Sequence, residues 1–186
     1  EYGRTKQFKD PAYRTPVSDD KVPNKSHLLV DENGKPFDYP YFIHDSYDSS
    51  DAINHFDWEK ATNEALYPEN ARSRAFTKGL IALRKSTDAF RMDNMEEVKN
   101  RVKLLTIPGE HGVEEEDQVI GYQITASNGD VYLVLVNADT KARDFALGTD
   151  FERFRKADVL VDGERAGVLH LTDPKGISWT ETGLRL

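Results

Sequence analysis

Asn54-His55-Phe56-Asp57-Trp58 follows closely on Tyr47-Asp48-Ser49-Ser50-Asp51, and the chain opens with Glu1-Tyr2-Gly3-Arg4-Thr5-Lys6. These stretches put carboxylates, an amide, cations and aromatic rings into loop-like sequence. Planar amides and carboxylates hydrogen-bond hydroxyls, while flat rings cover the apolar face of a pyranose, so this is the mixture a sugar-binding subsite needs.

On either side of this region the sequence is poor in periodicity. Residues 7–70 are rich in Pro, Asp, Asn and Ser, with Asn33-Gly34-Lys35-Pro36 and Tyr39-Pro40-Tyr41 as turn signals. Tyr13, Phe37, Tyr39, Tyr41, Phe42, Tyr47, Phe56 and Trp58 argue against disorder, which is depleted in aromatics. The expectation is an ordered, irregular loop that covers something.

Ala71 to Ser86 then reads as an amphipathic helix. Phe76, Leu80, Ile81 and Leu83 lie at helical spacing, Pro68-Glu69-Asn70 supplies a start, and Arg84-Lys85 suits the negative end of the helix dipole. Its apolar face has no evident partner before residue 90.

After Arg91 the runs Arg101–Ile107, Val119–Thr125, Val131–Asn137, Arg143–Leu147, Asp158–Val161 and Val168–Leu171 read as strands, and Ile177–Leu186 as a last one. Asn128-Gly129 and Asp162-Gly163 are hairpin signals. Val131–Val136 is apolar on both faces, which predicts a central strand. Residues 91–186 are therefore expected to form an antiparallel β-sandwich that folds more autonomously than residues 1–90.

Composition narrows the function classes. The net charge of −8 comes from 33 acidic and 25 basic residues, with the basic ones scattered, which argues against nucleic acid as a partner. No cysteine is present, so disulfides, thiolate metal sites and cysteine nucleophiles are excluded. The longest apolar run, Val131–Val136, is far short of the ~20 residues of a membrane-spanning helix. A chain that starts at Glu1 without Met reads as a piece of something longer. Composition alone fits a secreted or surface protein as well as a cytosolic one.

In order and spacing, the segments from Glu1 to Lys6 and from Tyr47 to Trp58 resemble the last part of type I pullulanases, debranching enzymes of the α-amylase superfamily. The likeness continues through Phe76–Phe90, which looks like that family's final barrel helix and the turn after it. It implies an α+β fragment: residues 1–90 as the terminal βα unit of a (β/α)8 barrel, and residues 91–186 as the C-terminal β-sandwich. It also implies a parent that cleaves α-1,6 branch bonds in pullulan, limit dextrins or glycogen, with the upstream barrel as this chain's partner and an extracellular or cell-surface location. A retaining glycosidase needs two carboxylates about 5 Å apart. In this superfamily they come from earlier barrel strands, so the chain by itself is expected to be inactive. The alternative is a non-catalytic glycan-binding or adhesive β-sandwich module. That reading needs a row of exposed aromatics, and Tyr122, Tyr132, Phe145, Phe151, Phe154 and Trp179 form no obvious one.

The resemblance makes Arg4, Asp51 and Asn54 the substrate-binding candidates. It places Arg4 on the active-site face of the barrel and Asp51 and Asn54 on a loop near the glucose on the non-reducing side of the scissile bond. His55 stands where some relatives have Arg. The competing reading is structural: Ser50 and Asp51 begin a short helix, Asp57 caps the next, and Trp58 packs beneath the loop. Asp45, Asp48 and Asp51 lack the alternate-residue spacing and central Gly of a calcium loop. His27, His44, His55, His111 and His170 have no metal-ligand spacing. No cofactor is expected in this chain, with calcium left open for the parent.

Overall fold

In the computed structural model, which describes residues 1–107 and 118–186, the chain mixes helices with several small antiparallel sheets. It divides into two compact units, Glu1–Arg74 and Ala75–Leu186. His111 lies outside the described residues.

The first unit is built on a hairpin that the sequence reading did not anticipate. Strands β1 (Ser26–Val30) and β2 (Pro36–Ile43) pair antiparallel through the predicted Asn33-Gly34 turn, where Gly34 takes a φ of +77°. The second expected turn, Tyr39-Pro40-Tyr41, lies inside β2. Pro40 has no N–H for a ladder and Tyr39 sits at φ +56°, so the register slips between Leu28 and Val30. The backbone groups displaced there find other partners. Gln7 Nε2 donates to the Asp38 and Tyr39 carbonyls, and Tyr39 N–H donates to the Arg14 carbonyl.

Residues 6–8 then run along the outer edge of β2, with Phe8 N–H on the Tyr41 carbonyl and Ile43 N–H on the Lys6 carbonyl. Tyr41 is 1% exposed and is among the most buried side chains of this unit. Tyr13 meets it edge-on, and the Tyr41 hydroxyl accepts the Val17 N–H at 2.9 Å. Two short helices follow, α1 (Asp51–Asn54) and α2 (Trp58–Thr62).

Helix α3 (Pro68–Ser86) begins at the predicted start and ends at the predicted residue. Within the second unit it meets a partner that lies after residue 90 in the sequence. Leu83 is buried, and Gly79 lies so close to the backbone of Ala166 that a Cβ there would stand 1.9 Å from the Ala166 carbonyl oxygen. Leu80 and Ile81 remain exposed.

After α3 comes a helix where only strands were expected. α4 (Met95–Arg101) starts at Asn94, whose side chain accepts the Glu97 N–H, and Glu96 and Glu97 occupy its positive first turn. β3 is accordingly reduced to Val102–Leu104. It pairs with β4 (Val119–Thr125), which pairs on its other side with β5 (Val131–Asn137). Both long strands match the sequence reading, as does the Asn128-Gly129 turn. Their order does not: β4 is central, and β5 is an edge among the described residues. The apolar residues on both faces of β5 are explained by what covers each face of the sheet. Tyr132 packs into a cluster with Ala89, Phe90 and Ile124, while Leu135 packs with Ile107, Val119, Phe145 and Leu186.

A second small sheet has the order β6 (Asp144–Ala146), β8 (Gly183–Arg185), β7 (Ser178–Trp179), so the expected last strand is broken into two. Asp144 and Arg185, paired in register, add a bidentate ion pair at 2.6 and 2.7 Å. Between β6 and β7, α5 (Phe151–Arg155) contributes the buried Phe154.

The runs Asp158–Val161 and Val168–Leu171 do not become strands. Leu171 N–H donates to the Val159 carbonyl between them, and the isolated bridge nearby joins Val161 to Ala166, short of the second run. The carboxylate of Asp162 organises this loop instead. Oδ1 accepts the Glu164 and Arg165 N–H groups at 2.8 and 2.6 Å, and Oδ2 accepts the Lys175 N–H at 3.0 Å and the Arg165 guanidinium at 2.8 Å. With this many partners the loop satisfies its polar groups without a ladder. Burial pushes the Asp162 carboxyl toward its neutral form. The hydrogen bonds from Lys175, Glu164 and Arg165 outweigh that and hold it well below the usual carboxylate range.

Two stability predictions follow from these contacts. Gly79→Ala, which gains ~1 kcal/mol in an open helix, should here lower the melting temperature by the equivalent of ~1–3 kcal/mol because the methyl group meets backbone. A rise in melting temperature would show that α3 is not seated on Ala166. Asp162→Ala should cost ~1–3 kcal/mol, since the hydrogen bonds collected by this buried carboxylate are lost. Because the folded pKa is depressed, that stabilisation is complete above the unfolded Asp value of ~3.9 and fades as the pH falls below it. Acid titration of stability should therefore show a shallower loss below that pH in Asp162→Ala than in the parent sequence. Identical acid limbs would remove Asp162 from its organising role.

Candidate functional site

The chain's first residues fold back on themselves. Glu1 Oε1 accepts the N–H groups of Tyr2, Gly3 and Arg4, and these bonds, Arg4's first, draw the Glu1 carboxyl below its ordinary value. Gly3 turns the chain at φ +70°, and Asn70 Nδ2 donates to the Tyr2 carbonyl at 2.8 Å. Tyr2, 3% exposed, lies edge-on to Phe56 with ring centres 4.7 Å apart, and its hydroxyl accepts the Asp57 N–H at 3.1 Å. The Tyr2 ring is thus an anchor that the sequence reading missed. An aromatic residue between a carboxylate and a glycine was the only signal for it.

Arg4 and Asn54 are brought together, through backbone. Arg4 Nη1 donates to the Asn54 carbonyl at 2.9 Å and the His55 carbonyl at 3.3 Å, at the end of α1 where carbonyls lack helical partners. The Asn54 side chain turns away into its own loop, donating from Nδ2 to the Ser46 carbonyl at 2.7 Å and the Ser49 carbonyl at 3.0 Å. Lys6 reinforces the same point by donating from Nζ to the hydroxyl of buried Ser46. His55 Nδ1 lies 2.8 Å from the Asp51 carbonyl oxygen, which closes α1 from the other end.

Asp51 differs from these neighbours. It occupies the first turn of α1, is exposed, and its carboxylate makes no hydrogen bond or ion pair among the described residues. Ser50 stands at the N-cap position but contributes no side-chain cap. Asp57 does cap, accepting the Lys60 N–H at 2.9 Å to start α2. The two carboxylates six positions apart therefore have different tasks, with Asp57 committed to structure and Asp51 left with all its acceptor capacity.

Trp58 corrects the expectation that it packs beneath the loop. It is 71% exposed and tilts against Phe56 at 4.5 Å, because α2 turns its first residue outward while Ala61 takes the buried face. Tyr47 is more exposed still, at 94%. Asp45 and Asp48 converge on one cation, Lys25 Nζ, at 3.3 and 3.0 Å. The bond from Tyr47 N–H, then Lys25, lowers the Asp45 carboxyl, and Lys25 lowers that of Asp48. His27 and His44 stack with ring centres 4.5 Å apart, and among the described residues no three ligating side chains gather around a common point.

The surface around α1 thus offers a free carboxylate, a guanidinium with donors to spare and exposed rings, set on a loop in which the Asn54 amide and the Ser46 hydroxyl are already bonded. That arrangement can accept and donate hydrogen bonds to a polyhydroxyl ligand. Comparison with known proteins identifies relatives. Residues 101–186 match the family model described as SpuA C-terminal. The whole chain is 66% identical to Pullulanase A of Streptococcus pneumoniae serotype 2 (strain D39 / NCTC 7466) and of serotype 4 (strain ATCC BAA-334 / TIGR4), of which it spans 15% and 14%. All of it also superposes, with a TM-score of 0.88 and 66% identity, on 26% of the catalytic module of the glycogen-degrading pneumococcal virulence factor SpuA in complex with an inhibitor. The Group B Streptococcus pullulanase SAP matches over the full chain and 24% of its own length, at 47% identity and a TM-score of 0.87. These relatives are pullulanases, and this chain is homologous to the C-terminal part of the pneumococcal pullulanase SpuA.

Proposed function

We propose that this chain is the C-terminal region of a debranching glycoside hydrolase that cleaves α-1,6-glucosidic bonds in pullulan, limit dextrins or glycogen. The observation that carries the proposal is 66% identity over all 186 residues to proteins named Pullulanase A. Solved relatives include a product complex of the glycogen-degrading SpuA and a maltotetraose complex of SAP. On this reading residues 1–90 close a (β/α)8 barrel and residues 91–186 form the β-sandwich beside it. Support for the second assignment is the apolar cluster that joins Val119 and Leu135 of one sheet to Phe145 of the other. SpuA is a pneumococcal virulence factor, which favours an extracellular or cell-surface location for the parent.

Within the site, Asp51 accepts hydrogen bonds from glucan hydroxyls. Arg4 and Asn54 contribute their remaining polar atoms while holding α1 in place. The acid and nucleophile of a retaining mechanism, two carboxylates about 5 Å apart, belong to the part of the longer protein outside this chain. What supports this division is that Arg4 and Asn54 are tied to backbone and the Asp51 carboxylate stands alone among the described residues.

Two measurements test the proposal. Asp51→Ala in the full enzyme should lower kcat/KM on pullulan about 10- to 150-fold, the loss of ~1.5–3 kcal/mol that a charged hydrogen bond supplies, with the melting temperature unchanged. Intact kinetics with a large loss of stability would assign Asp51 to helix capping instead. The 186-residue chain alone should release no reducing sugar from pullulan above a mock-purified control, and release abolished by changing any Asp or Glu within it would overturn the catalytic division.

A further inference from the structure

Two Asn-Gly pairs occur in hairpin turns, Asn33-Gly34 between β1 and β2 and Asn128-Gly129 between β4 and β5, and the fold treats them differently. In both, the glycine has positive φ, +77° and +90°, and nothing stands within 4 Å of where its Cβ would be. In both, the glycine N–H donates to the carbonyl three residues back, Asp31 at 2.9 Å and Ala126 at 3.0 Å. The backbones are thus equally open and equally bonded, and the difference lies in the asparagine side chains. Asn128 is held at both ends, with Nδ2 donating to Asp130 Oδ2 at 2.8 Å and Oδ1 accepting the Asp130 N–H at 3.0 Å. The Asn33 amide is exposed and makes no hydrogen bond among the described residues.

We propose that Asn33 is a site of spontaneous deamidation in the folded protein and that Asn128 is protected from it by Asp130. The Gly34 backbone nitrogen attacks Asn33 Cγ. The new Cγ–N bond closes a five-membered succinimide, the Cγ–Nδ2 bond breaks, and the proton lost from the Gly34 nitrogen leaves with the departing ammonia. Water then opens the ring at either carbonyl, giving aspartate or isoaspartate. No electrons change hands, and water is the only co-reactant. Glycine favours the attack because no side chain shields its nitrogen.

The attack requires Asn33 to rotate until Cγ faces that nitrogen, which costs a free side chain only a rotamer change. For Asn128 the same rotation must first break two hydrogen bonds. The product adds a negative charge beside Asp31 and Glu32, at a turn in which Asp31 Oδ1 accepts the Asn33 and Lys35 N–H groups. Isoaspartate further lengthens the chain inside that turn. Conversion therefore loosens the tip of the β1–β2 hairpin.

Ageing the folded protein at mildly alkaline pH, followed by peptide mapping with mass spectrometry, reads both sites at once. The Asn33 peptide should gain the mass of amide-to-acid conversion several-fold faster than the Asn128 peptide. Asp130→Ala should raise the Asn128 rate toward that of Asn33 and leave Asn33 unchanged. In denaturant the two sites should convert at similar rates. Equal rates in the folded protein, faster conversion at Asn128, or a difference that persists in denaturant would each overturn the proposal.

Discussion

A guanidinium at Arg4 reaches across 50 residues of sequence to the carbonyls that end α1, and the geometry around the candidate site depends on that reach. A four-residue helix cannot sustain itself, since its nucleation cost is never recovered by propagation. Something outside α1 must hold it. The chain's first residues do so from three sides: Arg4 binds the helix end, Lys6 binds Ser46 in the preceding loop, and Tyr2 binds the Asp57 amide that follows. Each contact satisfies a backbone or hydroxyl group that the irregular segment would otherwise leave to water. The loop is ordered by long-range polar contacts where a helix or sheet would rely on its own ladder.

This dependence explains which elements could be read from sequence. β4, β5 and the Asn128-Gly129 turn were legible because local pattern and turn chemistry agree. Helix α3 was legible because its periodicity extends over several turns. The β1–β2 hairpin was hidden by Pro40, which reads as a break; the break is real, but residues 6–8 and the Gln7 side chain cover it, so the strand resumes on the far side. α4 was hidden because Val98 and Val102 sit in a short amphipathic run flanked by strand-like residues, and only the Asn94 cap separates the two readings. Both faces of β5 are apolar, a pattern that reads as a central strand. A strand at a sheet edge meets the same requirement when separate clusters cover its two faces, and apolar pattern reports burial of faces, not pairing of edges.

The two X-Gly hairpin signals of the second half separate for a related reason. Asn128-Gly129 lies between runs that can pair over their whole length, and the ladder from Val119 to Val131 closes. Asp162-Gly163 is followed only by the single bridge from Val161 to Ala166 and no ladder, because the Asp162 carboxylate turns inward and collects the amides of residues 164, 165 and 175. A buried carboxylate with that many donors is a stronger organiser of three chain segments than a two-residue turn is of two. Asn at the same position lacks the charge to draw in an arginine. The same dipeptide logic thus ends in a hairpin in one case and in a polar hub in the other, and the deciding term is the side chain's charge.

The candidate site divides along a similar line. Of the three residues singled out from sequence, Arg4 and Asn54 prove to be engaged with the polypeptide itself, and their polar groups are already lowering the cost of an irregular backbone. Asp51 has no such engagement. A carboxylate that does no structural work on a loop so heavily stabilised elsewhere can be replaced without loss to the fold, so its presence is not explained by the fold. Asp57, of the same residue type on the same loop, is fully explained by its cap on α2. Sequence pattern could not tell these two apart, because an aspartate before a helix reads the same whether its oxygen meets an amide or a ligand. The distinction is geometric: Ser50 and Asp51 leave the first amides of α1 uncapped, whereas the Asp57 oxygen is 2.9 Å from the amide it satisfies. On the proposed reading, the bonds made by Arg4, Lys6 and Asn54 hold this loop so that Asp51 presents its acceptors in a fixed place, which lowers the ordering cost of binding a ring hydroxyl.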